Sequence, residues 1–375
     1  MTQVRAGLVW IFVMLICAGS AQAQAVQEGW EVSVDFLILA TRGNDVHVGD
    51  VFTETQRDST VRFDYGVTYE PIVTRMKRTQ NALVAVRYRG PQWGFGARGW
   101  RVHTDGAVEG QESTPPPTAT FLAITGIRMW DHSLIPVTDE RLPSDVSNVT
   151  FDAENALKNF RIEGFAERRL VTGTDNNVSA RFGLAHARLE NTRAEGQTQS
   201  TFIETDDDET FTTLTNDIAI TSESEATASL TGPVLALAGD STFRRVRVDW
   251  LISQAALLGT AETSGRWRDI DDISRVQVTG GTTTVTDRVL DGSIPLTFEE
   301  RVVVPTLDFQ VKASVQATRA VSVGVGYFSS TWFRMPVAPA FSVPGQWIDI
   351  EGTGWRHQKR DVTFSAFSVF AAFGF

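Results

Sequence analysis

The sequence predicts an all-β chain that closes into a transmembrane antiparallel up-and-down β-barrel of about twelve strands, with ten or fourteen also open. Three observations predict it. Residues 361–375 alternate, with Phe367, Val369, Ala371, Phe373 and Phe375 on one face and mostly small residues between them. Period-two alternation recurs along almost the whole chain, and no segment carries a convincing helical stripe. The first residues have the form of a secretory leader.

The leader comes first in the chain. Arg5 precedes an apolar run over 8–18, and Ala21-Gln22-Ala23 supplies a small-residue cleavage site. That run is shorter than the ~18–20 residues a spanning helix needs. Cleavage after Ala23 is expected, with Ala25 the alternative. The domains are then a signal peptide at 1–23 and a barrel with long external loops at 24–375. Cys17 is the single cysteine and leaves with the leader, which removes disulfides and thiolate metal sites from the mature chain. Ile16 before it is too bulky for a lipoprotein signal. Hydrophobic content of 42% and charged content of 21% do not fit a disordered chain. The net charge of −11 argues against a nucleic-acid partner, but not against a membrane.

The strands follow. Trp30, Val32, Val34, Phe36 and Ile38 alternate with Glu31, Ser33 and Asp35. Val61 to Tyr69 alternate with Arg62, Asp64 and Glu70; Val246 to Ile252 with Arg245, Arg247 and Asp249; Leu307 to Val315 with Asp308 and Lys312. Side chains change face at each residue of a strand, so every such segment has one apolar and one charged face. An ordinary sandwich would not put charge mid-strand on face after face, nor use segments of ~10 residues.

Connection lengths give the topology, because membrane barrels have short turns at one end and long loops at the other. Tight turns are expected at Arg89-Gly90-Pro91-Gln92, 172–176, 239–242 and 317–319. Long loops are expected at 191–225, 262–295 (with a small hairpin at Gly280-Gly281) and 335–357. The N-terminal third breaks the alternation: segment 118–130 reads as a strand, yet long connections flank it on both sides.

Several segments, in order, resemble one family: Phe182-Gly-Leu-Ala-His-Ala-Arg-Leu-Glu190, Thr231-Gly-Pro-Val-Leu-Ala-Leu237, Arg244-Arg-Val-Arg-Val-Asp-Trp250 with its continuation to Gly259, and Val323-Gly-Val-Gly-Tyr327. The chain is similar to the Legionella-type major outer-membrane protein family. The resemblance implies a pore-forming outer-membrane protein and supplies no catalytic residues. The stretch 128–136 and the acidic loop depart from it.

Other motifs carry less. Gly94-Phe-Gly-Ala-Arg-Gly99 matches a nucleotide-binding spacing but lies inside a strand, without the following helix that chemistry needs. His47, His103, His132, His186 and His357 have no metal-pair spacing. His132-Ser133 suggests a hydrolase, but adjacent residues of an extended chain point apart. Asp206-Asp207-Asp208-Glu209 lacks calcium-loop spacing and reads as solvated charge.

By parity, Arg62, Asp64, Arg87, Arg89, Arg98, Arg161, Glu163, Arg181, Arg245, Arg247, Asp249, Asp308 and Lys312 face the lumen. Phe367, Val369, Phe373 and Phe375 form a C-terminal assembly signal for the barrel-assembly machinery. The function expected is passive diffusion of small polar solutes through a charged lumen, in the bacterial outer membrane, among its lipid and lipopolysaccharide. No cofactor, metal or catalytic group is expected. The rivals are a plugged structural or surface-interaction barrel and, more weakly, a membrane-embedded hydrolase.

Overall fold

The computed structural model of the protein describes residues 28–57, 64–114, 120–124, 146–173, 176–207, 210–243, 246–279, 282–318, 320–341 and 355–375. Its strands are β1 (Gly29–Arg42), β2 (Val46–Arg57), β3 (Asp64–Thr74), β4 (Thr79–Arg89), β5 (Trp93–Thr114), β6 (Thr120–Ile124), β7 (Val146–Thr172), β8 (Asn176–Asp207), β9 (Thr210–Phe243), β10 (Val246–Thr279), β11 (Thr282–Gln316), β12 (Val321–Phe341) and β13 (Trp355–Gly374). Ten of them close an antiparallel barrel in the order β1-β13-β12-β11-β10-β9-β8-β7-β5-β4. At the seam Val32 pairs with Phe373 and Ile38 with Phe367. The Trp30 amide donates to the Phe375 carbonyl at 2.9 Å.

The count is ten rather than twelve for a definite reason. β3 and β6 alternate like wall strands, but they join β2 in a separate three-stranded sheet. β2 and β3 form a hairpin in which Phe52 pairs with Tyr69, and β6 adds to the other edge of β2 through Phe52 and Phe121. The excursion between β1 and β4 therefore meets the one between β5 and β7. Both leave the same end of the wall, which accounts for the two long connections that broke the alternation.

At the opposite end the connections are tight. Gly90 donates to the Trp93 carbonyl at 3.0 Å, and Ala317 to the Val321 carbonyl at 2.9 Å. The turn expected at 239–242 falls later, because β9 runs on to Phe243, which pairs with Val246. Gly239 and Asp240 belong to the strand. Above the wall, the expected loops 191–225 and 262–295 are also strand: β8 to β11 run for 32, 34, 34 and 35 residues. Their hairpins end at the pairs Asp207–Thr210 and Thr279–Thr282. β10 and β11 thus stay paired as wall strands through the stretch expected as a separate small hairpin, while Gly280 and Gly281 themselves lie outside the described residues.

The alternation explains why these strands read as loops: it inverts partway up. Low on β8, Phe182 and Leu184 are exposed on the outer face and Ser179 and Arg181 turn inward. Higher up, Ala185, Ala187 and Leu189 are buried inside while His186 and Arg188 lie outside. On β7, Phe160 and Ile162 face out, and above them Lys158, Glu154 and Asp152 take the outer face. The lower outer face is a band of exposed apolar side chains, Leu235 and Phe367 each 68% exposed. Such a band in water would be an association liability; facing lipid it is favourable. At its turn-end edge Trp30, Tyr88 and Phe95 cluster with centroids 5.0–5.5 Å apart, as a membrane-interface girdle does. Among the described residues no helix is long and apolar enough to cross a membrane.

Candidate functional site

The candidate site is the lumen, and it is layered. Nearest the turns, Arg89 donates to Glu31 at 2.8 Å and Arg247 to Asp249 at 2.6 Å. Asp240 lies 3.7 Å from Arg247 and 3.9 Å from Arg89. Beside this group, Glu167 accepts from Arg87 Nε at 2.9 Å and from Arg181 Nε at 2.8 Å. Arg181 also packs 4.7 Å from the Phe165 ring centroid. Gly94 and Gly96 make room for these groups. A Cβ on Gly94 would meet Glu167 Oε1 at 2.9 Å, and one on Gly96 the Phe165 ring at 2.9 Å.

The next layer crosses the barrel. Asp308 is fully buried and accepts from Arg98 Nη2 at 2.8 Å, Ser330 Oγ at 2.7 Å, Ser253 Oγ at 3.2 Å and Arg161 Nη1 at 3.3 Å. Glu163 accepts from the same Arg98 at 2.9 Å and from Arg161 at 3.4 Å. On the adjoining wall Lys312 pairs with Asp35 at 2.7 Å and sits 4.8 Å from the Phe370 ring centroid. Wall strands β5, β7, β10, β11 and β12 all contribute to the Asp308 cluster, so it ties distant parts of the ring together.

Above it the lumen is filled by apolar side chains. Trp100 packs edge-on against Phe328, Trp332 and Phe364 at 5.5–6.2 Å between centroids. Leu37, Leu39, Leu83, Val102, Leu157, Leu189 and Val304 complete this core. The top is capped by β12 itself. Its register shifts after Trp332 and again after Val337, and Arg334 adopts a left-handed φ of 53°. Met335, Val337 and Ala338 are thereby buried across the mouth. Ala338 N donates to Asn191 Oδ1 at 2.7 Å, Asn191 to Asn155 Oδ1 at 2.9 Å, and Asn155 to the Asn44 carbonyl at 2.6 Å. Asn44 belongs to the turn after β1, so wall, bent strand and turn share one chain of hydrogen bonds.

Of the residues expected in the lumen, Arg87, Arg89, Arg98, Arg161, Glu163, Arg181, Arg247, Asp249, Asp308 and Lys312 are gathered in these two charged layers. Asp64 is not a barrel residue: it begins β3, in the three-stranded sheet, because that segment never joins the wall. Arg62, Arg245, His132, Ser133 and the leader lie outside the described residues. Phe367, Val369, Phe373 and Phe375 stand on the outer face. His103 and His186 also face outward and are exposed. Glu31, Asp35, Glu167 and Asp240 were not among the expected lumen residues. The inward row that carries Arg161 and Glu163 reaches Glu167 two steps later, so parity alone could have found it.

No family model matches the chain, and no curated protein does. Among solved structures, the outer-membrane protease OmpT of Escherichia coli aligns over 94% of this chain and 99% of its own at 11% identity, with a TM-score of 0.38. The Pseudomonas putida toluene transporter TodX aligns over 93% and 90% at 8% identity and 0.27. The translocator domain of the Neisseria meningitidis autotransporter NalP aligns over 100% and 97% at 10% identity and 0.25. All are barrels; at these scores none carries an argument about what this chain does.

Proposed function

We propose that the protein is an outer-membrane barrel with a closed lumen, whose tall strand extensions form an interaction surface outside the membrane. One observation carries the reading: the cross-section is filled. Asp308, Arg161 and Glu163 are 0–2% exposed, and Trp332 and Phe364 directly above are 0% exposed. Passive diffusion needs a continuous water path, and closely packed side chains exclude one. The outer apolar band supports residence in outer-membrane lipid and lipopolysaccharide. The Phe367–Val369–Phe373–Phe375 row supports recognition by the barrel-assembly machinery. No catalytic step is part of this reading.

A gated diffusion channel for small polar solutes is the second reading. It is favoured by the water-accessible space in the turn-end half of the lumen, where Glu31, Asp249 and Arg247 keep 27–30% of their side-chain surface exposed. The resemblance to a pore-forming family points the same way. Planar-bilayer recording of the purified full chain separates the two. The closed reading expects no discrete conductance steps. Regular steps whose ion selectivity moves with Arg247→Glu would overturn it and establish the channel.

A further inference from the structure

The turn-end half of the lumen encloses a cavity of about 120 Å³. That is room for several waters or one small polyatomic ion. The cavity surface is strongly one-sided in charge. Arg87, Arg89, Arg98, Arg169, Arg181, Arg247 and Lys312 line it, against the carboxylates of Glu31, Asp240 and Asp249. The remaining acids of these pairs sit behind their partners. Asp35 is 0% exposed where Lys312 keeps 12%, and Glu167 is 3% exposed where Arg87 and Arg181 keep 17% and 11%. In these two groups the carboxylates lie toward the wall and the cationic heads toward the open space, whereas Glu31 and Asp249, each 30% exposed, face the space beside Arg89 and Arg247.

One further observation points to a ligand. The charges do not balance locally: Glu167 is shared by two arginines, and Arg169 has no ion-pair partner among the described residues. Ser33, Ser179, Ser314 and Asn177 add neutral donors to the same surface. A wall rich in donors, with an excess of arginine and space for a few heavy atoms, matches the chemistry of an oxyanion.

We propose that this cavity binds a small oxyanion, a phosphate or a carboxylate, entering from the turn end. The site does not depend on whether the lumen conducts, since it reaches inward only as far as Arg98 of the Asp308 cluster.

The test uses the full chain in detergent micelles. Its heat-unfolding midpoint is followed by tryptophan fluorescence while inorganic phosphate, acetate or chloride is titrated at matched ionic strength. A saturable rise with phosphate or with acetate, absent with chloride, is expected, and the two arms tell phosphate from carboxylate. Arg169→Gln and Arg181→Gln should each raise the half-saturating concentration by about tenfold, as loss of a charge-assisted contact does. Arg268→Gln, on the tall outer wall, should leave it unchanged. If Arg181→Gln does not fold, Arg169→Gln decides, because it strands no carboxylate. A rise that does not saturate, that chloride reproduces, or that survives in the folded arginine variants would overturn the proposal.

Discussion

Replacing Asp308 with asparagine tests whether the lumen is sealed. The substitution keeps the side-chain shape, so it opens no cavity, and it removes one charge. Asp308 accepts from Arg98, Arg161, Ser253 and Ser330. Without that charge, Arg98 and Arg161 are left to share Glu163, at 2.9 and 3.4 Å. One guanidinium charge is then uncompensated in a layer where all three neighbours are almost fully buried. Removing one member of a buried pair costs about 3–5 kcal/mol, which is about two to three and a half decades in the unfolding equilibrium. The assay is urea unfolding of the refolded protein in lipid vesicles, read by tryptophan fluorescence and by the mobility shift of the folded barrel on unheated gels. Arg268→Ala, which breaks an exposed pair with Asp291, is the control and should change nothing measurable. A cost below about 1 kcal/mol for Asp308→Asn would mean that water solvates the cluster, and the argument for a closed lumen would fail with it.

Other outcomes follow from the same packing. Trp332→Ala should cost about 3–5 kcal/mol, because the indole is wholly buried and its Nε1 donates to Ser330 at 2.9 Å; Trp332→Phe, which keeps most of the volume, should cost clearly less in the same urea titration. Gly43 has a φ of 87°, and a Cβ there would lie 2.0 Å from the Asp361 carbonyl oxygen, so Gly43→Ala should lower stability by more than about 1 kcal/mol. Gly164→Ala, where nothing lies within 4 Å, should be neutral or stabilising. Burial pushes the Glu195 carboxyl, in the inner face of β8 above the apolar band, up from its ordinary value of 4.5, against the pull of Arg193. The folded form therefore holds this proton more tightly than the unfolded one. Its contribution is present at low pH and is lost as pH rises above 4.5 through the folded value. Thermal melts from pH 4 upward should show a stability decline that is shallower in Glu195→Gln; an identical slope in both proteins would refute the assignment.

The membrane half of the barrel was legible because its physics is uniform: lipid outside and charge inside give β1, β10, β11 and β13 one reading at every second residue. That legibility ended where the solvent changed. Residues 191–225 read as loop from composition because Thr, Ser and acids dominate them, yet outside the membrane a strand with polar residues on its outer face is the ordinary case. Parity still held there; only its meaning was reversed. β3 shows the opposite failure: the alternation of 61–70 was real, but alternation names a half-buried strand and not the sheet it joins. Asp240 is hidden because Gly239-Asp240-Ser241 has turn composition, and Glu167 is obscured because Glu167-Arg168-Arg169 puts charge on both faces. The bend of β12 left no trace beyond Pro336 and Pro339, since one left-handed residue at Arg334 is decided by what it packs against, not by its own preference.

The inversion of β7 and β8 means that this chain is written for two solvents in succession. Below Lys158 on β7 and below His186 on β8 the strand is inside-out by the standards of a water-soluble protein; directly above these residues it is conventional. The upper wall is therefore built like a soluble barrel standing on a membrane one, with the bilayer surface fixed by the residue where the pattern changes sign. Sliding that point by two residues on every strand, polar for apolar on the outer face alone, would raise or lower the whole molecule in the membrane by about 6–7 Å of strand length without altering a single contact in the lumen.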